Sequence, residues 1–339
     1  MSELTESVTG PDFGSDREPL LAVDRLAVEF GTEDGVVKAV NGVSFQVEAG
    51  RTLAIVGESG SGKSVTAQAV LGLLQTPPAR ITGGEIRFRG RNLLALDRRD
   101  HRAVCGEHIA MVFQDALAAL NPVYSIGFQL AEALVARRRL SRRAARQRAV
   151  ELLDLVQVPN AAQRVRDYPH QFSGGMRQRV MIAMALAMEP EVLIADEPTT
   201  ALDVTVQAQI MRLLRDIQAE RSMGLVLITH DLGVVADVAD EITVMYAGRA
   251  VEQAGVHELF AAPAHPYTEA LLGSIPRVDR KGQELQVIPG RPPELTRIPA
   301  GCPFHPRCRY AQEVCRTDPP QLLPAGDRDR LAACHFART

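Results

Sequence analysis

The sequence predicts an α/β fold with a buried parallel sheet, an antiparallel β subdomain, an inserted α-helical subdomain and a Cys- and Pro-rich C-terminal tail. Continuously apolar segments, typical of strands buried on both faces, recur as RTLAIVG, EVLIADE and GLVLITH. The segments LLAVDRLAVEF and AVNGVSFQVEAG instead alternate apolar and polar residues, as antiparallel strands with one solvated face do. After about Pro276 the composition shifts to Pro, Arg and Cys, and the prolines prevent long helices there.

The predicted boundaries are a flexible leader at 1–19, one large domain at 20–275 and the tail at 276–339, with the helical subdomain at about 116–188. The chain of 339 residues has room for one such domain and an appendage, but not for two complete copies. Its polar, acidic start differs from a signal peptide, and no apolar stretch approaches the roughly 20 residues that span a bilayer. We therefore expect a cytosolic chain that reaches a membrane only through partners.

The net charge of −3 gives no indication that the chain binds nucleic acid. We accordingly expect no nucleic-acid partner.

A glycine-rich segment matches the whole pattern G-x-x-x-x-G-K-[ST] and lies between a predicted buried strand and a predicted helix, as this motif requires. It consists of Gly57, Glu58, Ser59, Gly60, Ser61, Gly62, Lys63 and Ser64. Glycines let backbone N–H groups surround phosphates, and the helix dipole attracts the same anions. Lys63 would neutralise the phosphates and Ser64 would ligate Mg²⁺, which predicts a P-loop NTPase that binds ATP. The alternative is a glycine-rich turn without a ligand.

Two carboxylates, Asp196 and Glu197, follow the apolar strand VLIA. A buried strand would deliver both to the carboxyl edge of the sheet, where nucleotides bind in such folds. Asp196 would hold Mg²⁺ through water, and Glu197 would polarise the attacking water. The alternative is that either acid only caps a helix, since Pro198 and Thr199 follow.

A third element, Ser173-Gly174-Gly175, opens the apolar helix VMIAMALAM. A hydroxyl and glycines at a helix N-terminus form an anion site, although an ordinary helix cap has the same composition. The order of the elements is more specific: a phosphate loop, a Ser-Gly-Gly helix, an Asp-Glu strand and then a His. This order resembles that of the ABC ATPases, whose core is a P-loop NTPase (RecA-like) fold, and the resemblance covers about residues 20–275.

The resemblance implies roles for three further residues. Gln114, in MVFQD, would contact Mg²⁺ and the attacking water, and His230, in LITHD, would contact the γ-phosphate. Phe30 stands where the family places an aromatic that stacks on adenine, with a core-facing Phe as the alternative. Ala201-Leu202-Asp203 resembles the loop that crosses the interface between two cassettes.

The family acts as head-to-tail pairs, with ATP between the phosphate loop of one cassette and the Ser-Gly-Gly helix of the other. The resemblance therefore implies a second ATP-binding subunit, either identical or homologous. Phe172 and Met176 depart from the usual Leu and Gln around Ser-Gly-Gly. Because the backbone donors and Ser173 remain, we expect a working half-site.

The segments FSGGMRQRVMIAMALA and DEPTTALDVTVQAQI resemble the peptide and nickel importer subfamily. This implies an ATPase that powers import of di- or oligopeptides from the cytoplasmic face of the cell membrane. The implied partners are two transmembrane permease subunits and an extracytoplasmic substrate-binding protein. The alternatives are an importer of nickel or another small solute, and a soluble ABC ATPase that is not coupled to transport.

Four cysteines crowd the tail: Cys302, Cys308, Cys315 and Cys334. Four thiolates suit tetrahedral Zn²⁺ or a four-iron cluster, and the spacings lack the short C-x₂-C pairs of zinc ribbons. The tail resembles the C-terminal region of oligopeptide importer ATPases, which implies a [4Fe–4S] cluster. Zinc, unliganded thiols and an adventitious disulfide are the alternatives, and His305 and His335 are candidate substitute ligands.

Overall fold

The fold was analysed in a computed structural model, which describes residues 18–200, 202–275, 288–326 and 330–337 and omits the side chains of residues 116 and 117. Most of the predicted leader, Ala201 of the interface loop and the start of the predicted tail lie outside the described residues. The strands are β1 (Leu21–Thr32), β2 (Gly35–Val47), β3 (Thr52–Val56), β4 (Ala79–Phe88), β5 (Arg91–Asn92), β6 (Ile109–Val112), β7 (Val192–Asp196), β8 (Gly224–Thr229), β9 (Glu241–Tyr246), β10 (Arg249–Gly255), β11 (Leu323–Pro324) and β12 (Leu331–Ala332).

Helices occupy much of the remaining described chain. They are α1 (Lys63–Val70), α2 (Arg98–Glu107), α3 (Ala116–Ala119), α4 (Ile126–Arg138), α5 (Arg142–Leu155), α6 (Ala161–Arg164), α7 (Gly174–Leu186), α8 (Val204–Arg221), α9 (Leu232–Val238), α10 (Val256–Ala261), α11 (Pro266–Gly273) and α12 (Glu313–Thr317). Helices α3 to α7 lie between β6 and β7 in the chain, where the sequence predicts the helical subdomain. Its bounds of about 116–188, like the other domain boundaries, stay predictions.

The large sheet has the strand order β11-β12-β10-β9-β3-β8-β7-β6 among the described residues. Strands β9, β3, β8, β7 and β6 run parallel, whereas β10, β12 and β11 add to β9 in antiparallel pairs. The strands β3, β7 and β8 are buried along their whole length, which explains their continuously apolar sequences. The predicted parallel core is therefore confirmed.

The antiparallel subdomain is a separate sheet with the order β2-β1-β4-β5. Along β1 the buried positions change from Leu21 and Val23 to Leu26 and Val28, a shift from odd to even numbers. A register irregularity between Val23 and Leu26 absorbs this change, and Arg25 has a φ of 45° there. The bulge thus keeps the apolar side chains on one face although the sequence pattern slips by one residue.

The two faces of the parallel strands serve different subdomains. Leu193 and Ala195 of β7 belong to the apolar cluster of the helical subdomain, whereas Val192 and Ile194 belong to the cluster of the antiparallel sheet. One buried strand therefore joins both subdomains to the core. No helix of the described residues has the length and apolarity that a membrane crossing requires.

The described part of the tail packs onto the α/β core. The ring of Phe304 lies 5.3 Å from the rings of both Tyr246 and Tyr267, and β12 pairs with β10 through Ala332 and Glu252. Phe304 is 2% exposed and belongs to the same apolar cluster as Ile242, Val244 and Tyr246 of β9. The described part of the tail is thus held by aromatic packing and by backbone hydrogen bonds.

We predict that Phe304→Ala lowers the free energy of unfolding by about 3 kcal/mol or more, because truncation of a buried Phe removes apolar contacts and leaves a cavity. Phe336→Ala is the matched control, since Phe336 is 45% exposed in the same tail. Denaturant unfolding of the full chain measures both. Equal losses in the two variants would contradict the packing of the tail on the core.

Candidate active site

The phosphate loop connects β3 to α1 and lies against the backbone of two other strands. A Cβ atom at Gly57 would lie 2.2 Å from the carbonyl oxygen of Met245, and one at Gly62 would lie 2.4 Å from that of Ala39. Both glycines also have positive φ, at 152° and 101°. Any side chain at these positions would displace the loop. The motif therefore requires glycine at Gly57 and Gly62 on steric grounds.

Lys63 is buried at the centre of this loop, with 5% of its surface exposed. Its Nζ donates to the carbonyl oxygens of Gly57, at 2.8 Å, and Glu58, at 3.0 Å. Burial lowers the pKa of Lys63, and the nearby carboxylates of Glu197, Asp196 and Glu58 oppose this shift. The ammonium group is therefore desolvated and placed inside the loop where phosphates would enter.

Ser61 supplies an independent indication that the loop takes a ligand. Its side chain is buried, and its Oγ has no hydrogen-bond partner among the described residues. Buried hydroxyls are normally hydrogen-bonded, so an unpartnered one suits a ligand with acceptor oxygens. The loop thus fits a phosphate group, because Lys63 supplies a positive charge and Ser61 supplies a hydrogen-bond donor that is free in the described structure.

Ser64 and Asp196 meet beside the loop. The Ser64 Oγ donates to Asp196 Oδ1 at 3.0 Å, and Asp196 is buried at the end of β7. Burial raises the pKa of Asp196 and Glu197 adds to this, while Ser64 and Lys63 oppose it. A hydroxyl and a carboxylate at hydrogen-bond distance are oxygen donors of the kind that Mg²⁺ prefers.

Glu197 connects three adjacent strand ends. Its Oε2 accepts hydrogen bonds from Gln114 Nε2, at 2.8 Å, and from Thr200 Oγ1, at 2.9 Å. Its Oε1 lies 3.2 Å from His230 Nδ1. Gln114, Glu197 and His230 follow β6, β7 and β8, which are neighbours in the sheet. The parallel register therefore brings the three predicted catalytic side chains together.

The four tail cysteines line one cavity of about 230 Å³ next to Phe304. Cys302 N also donates to Cys315 O at 2.8 Å, and all the cysteines are free thiols. Burial raises the pKa of Cys302 to about 11 and raises those of Cys308 and Cys334. Among the described residues no three His, Cys, Asp or Glu side chains form a metal-binding group.

Two family models match this chain. The model described as "ABC transporter" matches residues 40–200, and the one described as "Oligopeptide/dipeptide transporter, C-terminal region" matches residues 251–315. The oligopeptide transport ATP-binding protein OppD of Salmonella typhimurium is 52% identical over 315 residues, which cover 93% of this chain and 93% of that protein. The chain belongs to the oligopeptide/dipeptide family of ABC transporter ATPases. It is accordingly an ABC ATPase, which hydrolyses ATP to drive transport.

Two further comparisons agree with this assignment. The dipeptide transport ATP-binding protein DppD of Bacillus subtilis is 51% identical over 307 residues, which cover 90% of this chain and 92% of that protein. The ATP-binding cassette MJ0796, solved as a dimer with ADP and Pi, has a TM-score of 0.63 and 27% identity over 70% of this chain and 98% of that chain. The α/β fold of the ABC ATPase, with its β and helical subdomains, is thereby confirmed.

The Ser-Gly-Gly segment of this ABC ATPase lies at the start of α7. Ser173 Oγ accepts a hydrogen bond from Met176 N at 3.4 Å, and Gly174 and Gly175 begin the helix. A Cβ atom at Gly175 would lie 2.6 Å from Val206 Cγ1, so α7 packs closely on the first turn of α8. The hydrogen bonds that the described structure gives Ser173 are to Met176 N and Arg177 N, both within α7.

Three predicted nucleotide-binding residues of the ABC ATPase differ in their exposure to solvent. Phe30 is partly buried in β1 and packs against the apolar cluster of the antiparallel sheet. Ser59 and Gly60 are exposed at the tip of the phosphate loop. Their contacts with a nucleotide stay predictions.

The sequence did not indicate three residues that contact the site. Thr200 holds Glu197, and both Tyr267 and Arg307 bond to Glu58 in the phosphate loop. Thr200 stands three residues after Glu197, a spacing that could have suggested the contact. Arg307 is 249 positions from Glu58, and no local pattern signals such a pair.

We predict that Gly62→Ala raises the ATP dissociation constant by roughly tenfold or more, because the new Cβ would strike the Ala39 carbonyl and shift the loop. Gly42→Ala is the control, since Gly42 has a φ of 77° but nothing lies within 4 Å of an added Cβ. Both substitutions strain the backbone by about 1–2 kcal/mol, and only the first adds a clash. Equal ATP affinities in calorimetric titration would contradict the steric role of Gly62.

Proposed function

We propose that this ABC ATPase powers the import of di- or oligopeptides, bound peripherally at the cytoplasmic face of the cell membrane. The main support is the match of its C-terminal region to the oligopeptide/dipeptide transporter model, together with about half identity to OppD and DppD over most of the chain. Those relatives carry oligopeptide and dipeptide transport in their names. Their resemblance favours transport over the soluble, uncoupled ATPase that the sequence left as an alternative.

The phosphate loop would bind the β- and γ-phosphates of ATP. Lys63 would exchange its bonds to the Gly57 and Glu58 carbonyls for phosphate oxygens, and Ser61 would donate its buried hydroxyl. Ser64 and Asp196 would hold Mg²⁺, with the Gln114 amide as a further oxygen donor. When bound, Mg²⁺ neutralises charge that develops on the phosphates.

Glu197 would act as the general base. Gln114 and Thr200 both donate to its Oε2, which fixes the carboxylate plane and leaves Oε1 on the side of His230. A carboxylate held in this way can accept a proton from a water that attacks the γ-phosphate. His230, whose side chain is 60% exposed, would contact the γ-phosphate.

The site would be completed by a second ATP-binding subunit, identical or homologous. Ser173 and the first N–H groups of α7 form an anion site, and in the described structure Ser173 hydrogen-bonds within its own helix. The MJ0796 cassette forms a dimer with ADP and Pi, which supports a paired arrangement. Val204, at the start of α8, is 82% exposed, as expected for a residue near such an interface.

Two permease subunits would dock beside Gln114. Four large apolar side chains are exposed between β6 and the first turn of α4: Phe113, Val123, Tyr124 and Phe128. The rings of Tyr124 and Phe128 stack at 4.7 Å. Since exposed apolar patches mark interaction sites, contact here would link the permease to the Gln114–Glu197 pair. An extracytoplasmic binding protein would complete the importer, and no nucleic acid would take part.

We infer that the cysteine cavity holds a [4Fe–4S] cluster. The four thiols line one cavity of about 230 Å³, and Fe–S clusters are held by four cysteine thiolates. His305 Nδ1 and His335 Nε2 instead hydrogen-bond the carbonyls of Cys302 and Asp318, which favours the cysteines as ligands. Zinc is the alternative occupant.

We predict that Glu197→Gln keeps ATP binding but lowers hydrolysis by roughly 100-fold or more, because the amide cannot accept the proton. Peptide uptake by the assembled transporter should fall with it. The measurements are nucleotide binding, phosphate release, and uptake of labelled peptide and of nickel. Near-normal hydrolysis would rule out the base role, and uptake of nickel without peptide would overturn the proposed cargo.

We predict that protein purified without oxygen contains about four iron atoms per chain, with thiolate-to-iron charge-transfer absorption. Cys315→Ser should lose iron, because Cys315 lines the cavity. Cys105→Ser should retain it, because Cys105 lies in α2 and does not line the cavity. Elemental analysis distinguishes iron from zinc. Protein with neither metal, or equal iron in both variants, would refute the cluster.

A further inference from the structure

The carboxylate of Glu58, in the phosphate loop, contacts a residue of the tail. It forms a two-bond ion pair with Arg307, whose Nη1 lies 2.6 Å from Oε2 and whose Nη2 lies 3.0 Å from Oε1. The side chain of Arg307 is 6% exposed and that of Glu58 is 24% exposed. Two parallel charge-assisted hydrogen bonds between largely buried side chains form a strong and directional contact.

The tail and core hold the guanidinium of Arg307 in a fixed orientation. Its Nε donates to the Pro289 carbonyl at 2.9 Å, and its Nη1 also donates to the Tyr246 hydroxyl at 3.3 Å. The same group lies over the Tyr246 ring, 5.8 Å from its centroid. The planar fork is therefore already oriented for a carboxylate, and little side-chain freedom is lost in forming the pair.

Glu58 is also bonded through its backbone on both sides. Its N–H donates to the Tyr267 hydroxyl at 2.9 Å, and its carbonyl oxygen accepts from Lys63 Nζ at 3.0 Å. One residue thus connects the tail and α11 to the lysine at the centre of the phosphate loop. A change in the position of Glu58 would move an acceptor of Lys63.

We propose that Arg307 is a positioning residue of the nucleotide site, which holds Glu58 and thereby keeps the phosphate loop and Lys63 in the geometry that receives ATP. A loop that is ordered beforehand loses less conformational entropy on binding. Arg307 acts through Glu58 and not on the reacting atoms. Its loss should therefore raise KM and the dissociation constant for ATP more than it lowers kcat. The proposal rests on ATP binding and is independent of the peptide cargo and of the occupant of the cysteine cavity.

A double-mutant cycle on the full chain tests this contact, with Arg307→Gln, Glu58→Gln and the double variant. We expect each single variant to raise the ATP dissociation constant roughly tenfold, the scale of one charge-assisted hydrogen bond. The ATP dissociation constant of the double variant should not exceed the larger of the two single-variant values, because both changes remove the same contact. Arg307→Lys should fall between Arg307→Gln and the unaltered chain, since lysine supplies a charge without the fork.

Arg309→Gln is the matched control. Arg309 lies on the other side of Cys308 and pairs with Glu269 at 2.7 Å, but its side chain is 57% exposed and does not contact the phosphate loop in the described structure. ATP affinity should be unchanged in this variant. A loss equal to that of Arg307→Gln would mean that any disturbance near the cysteines weakens binding, and would overturn the proposal.

Glu58→Gln keeps the test decisive if Arg307→Gln fails to fold, because it leaves Arg307 and its tail contacts in place. Unchanged ATP affinity in Glu58→Gln, or fully additive losses in the cycle, would refute the positioning role. Failure of the unaltered chain to bind ATP would count against the ATPase assignment itself. The two failures are therefore distinguishable.

Discussion

The parallel register of β3, β8, β7 and β6 is the constraint on which the nucleotide site depends. In this register Val56 lies opposite Thr229, Asp196 opposite Ile228, and Val112 opposite Ala195. Each strand therefore ends at the same edge, and each contributes a polar element there. A slip of one residue in any pair would exchange the two faces of that strand and would separate Gln114, Glu197 and His230.

The site concentrates features that oppose folding. Lys63 and Asp196 are ionisable groups in buried positions. Burial lowers the pKa of Lys63 and raises the pKa of Asp196, which in each case favours the neutral form. Glu197 has a φ of 46°, a left-handed conformation that costs about 1–2 kcal/mol in a residue with a side chain. Hydrogen bonds from Gln114 and Thr200 hold Glu197 in place. These groups are oriented before any nucleotide arrives, which is what electrostatic stabilisation of phosphoryl transfer requires.

Local sequence patterns predicted the parallel strands, the phosphate loop and the strand-end acids, because each depends on neighbours within a few residues. They also predicted that Gln114, Glu197 and His230 belong together, but only through resemblance to a family. The contact between Glu58 and Arg307 was beyond reach, since the two residues are 249 positions apart and either could have been an ordinary surface charge. The packing of the tail was missed for the same reason: Phe304 stands among prolines that signal irregular structure and give no hint of Tyr246 and Tyr267.

The short strands of the tail also determine how the large sheet ends. Without β12, strand β10 would present a row of unpaired N–H and C=O groups, to which strands of other molecules could add. Strand β12 covers part of that row, and the outermost strand, β11, is two residues long and includes Pro324, which has no N–H to donate. The edge of the sheet on this side therefore offers few free backbone groups with which a strand of another molecule could pair. The tail therefore protects the core from growth of the sheet by strands of other molecules.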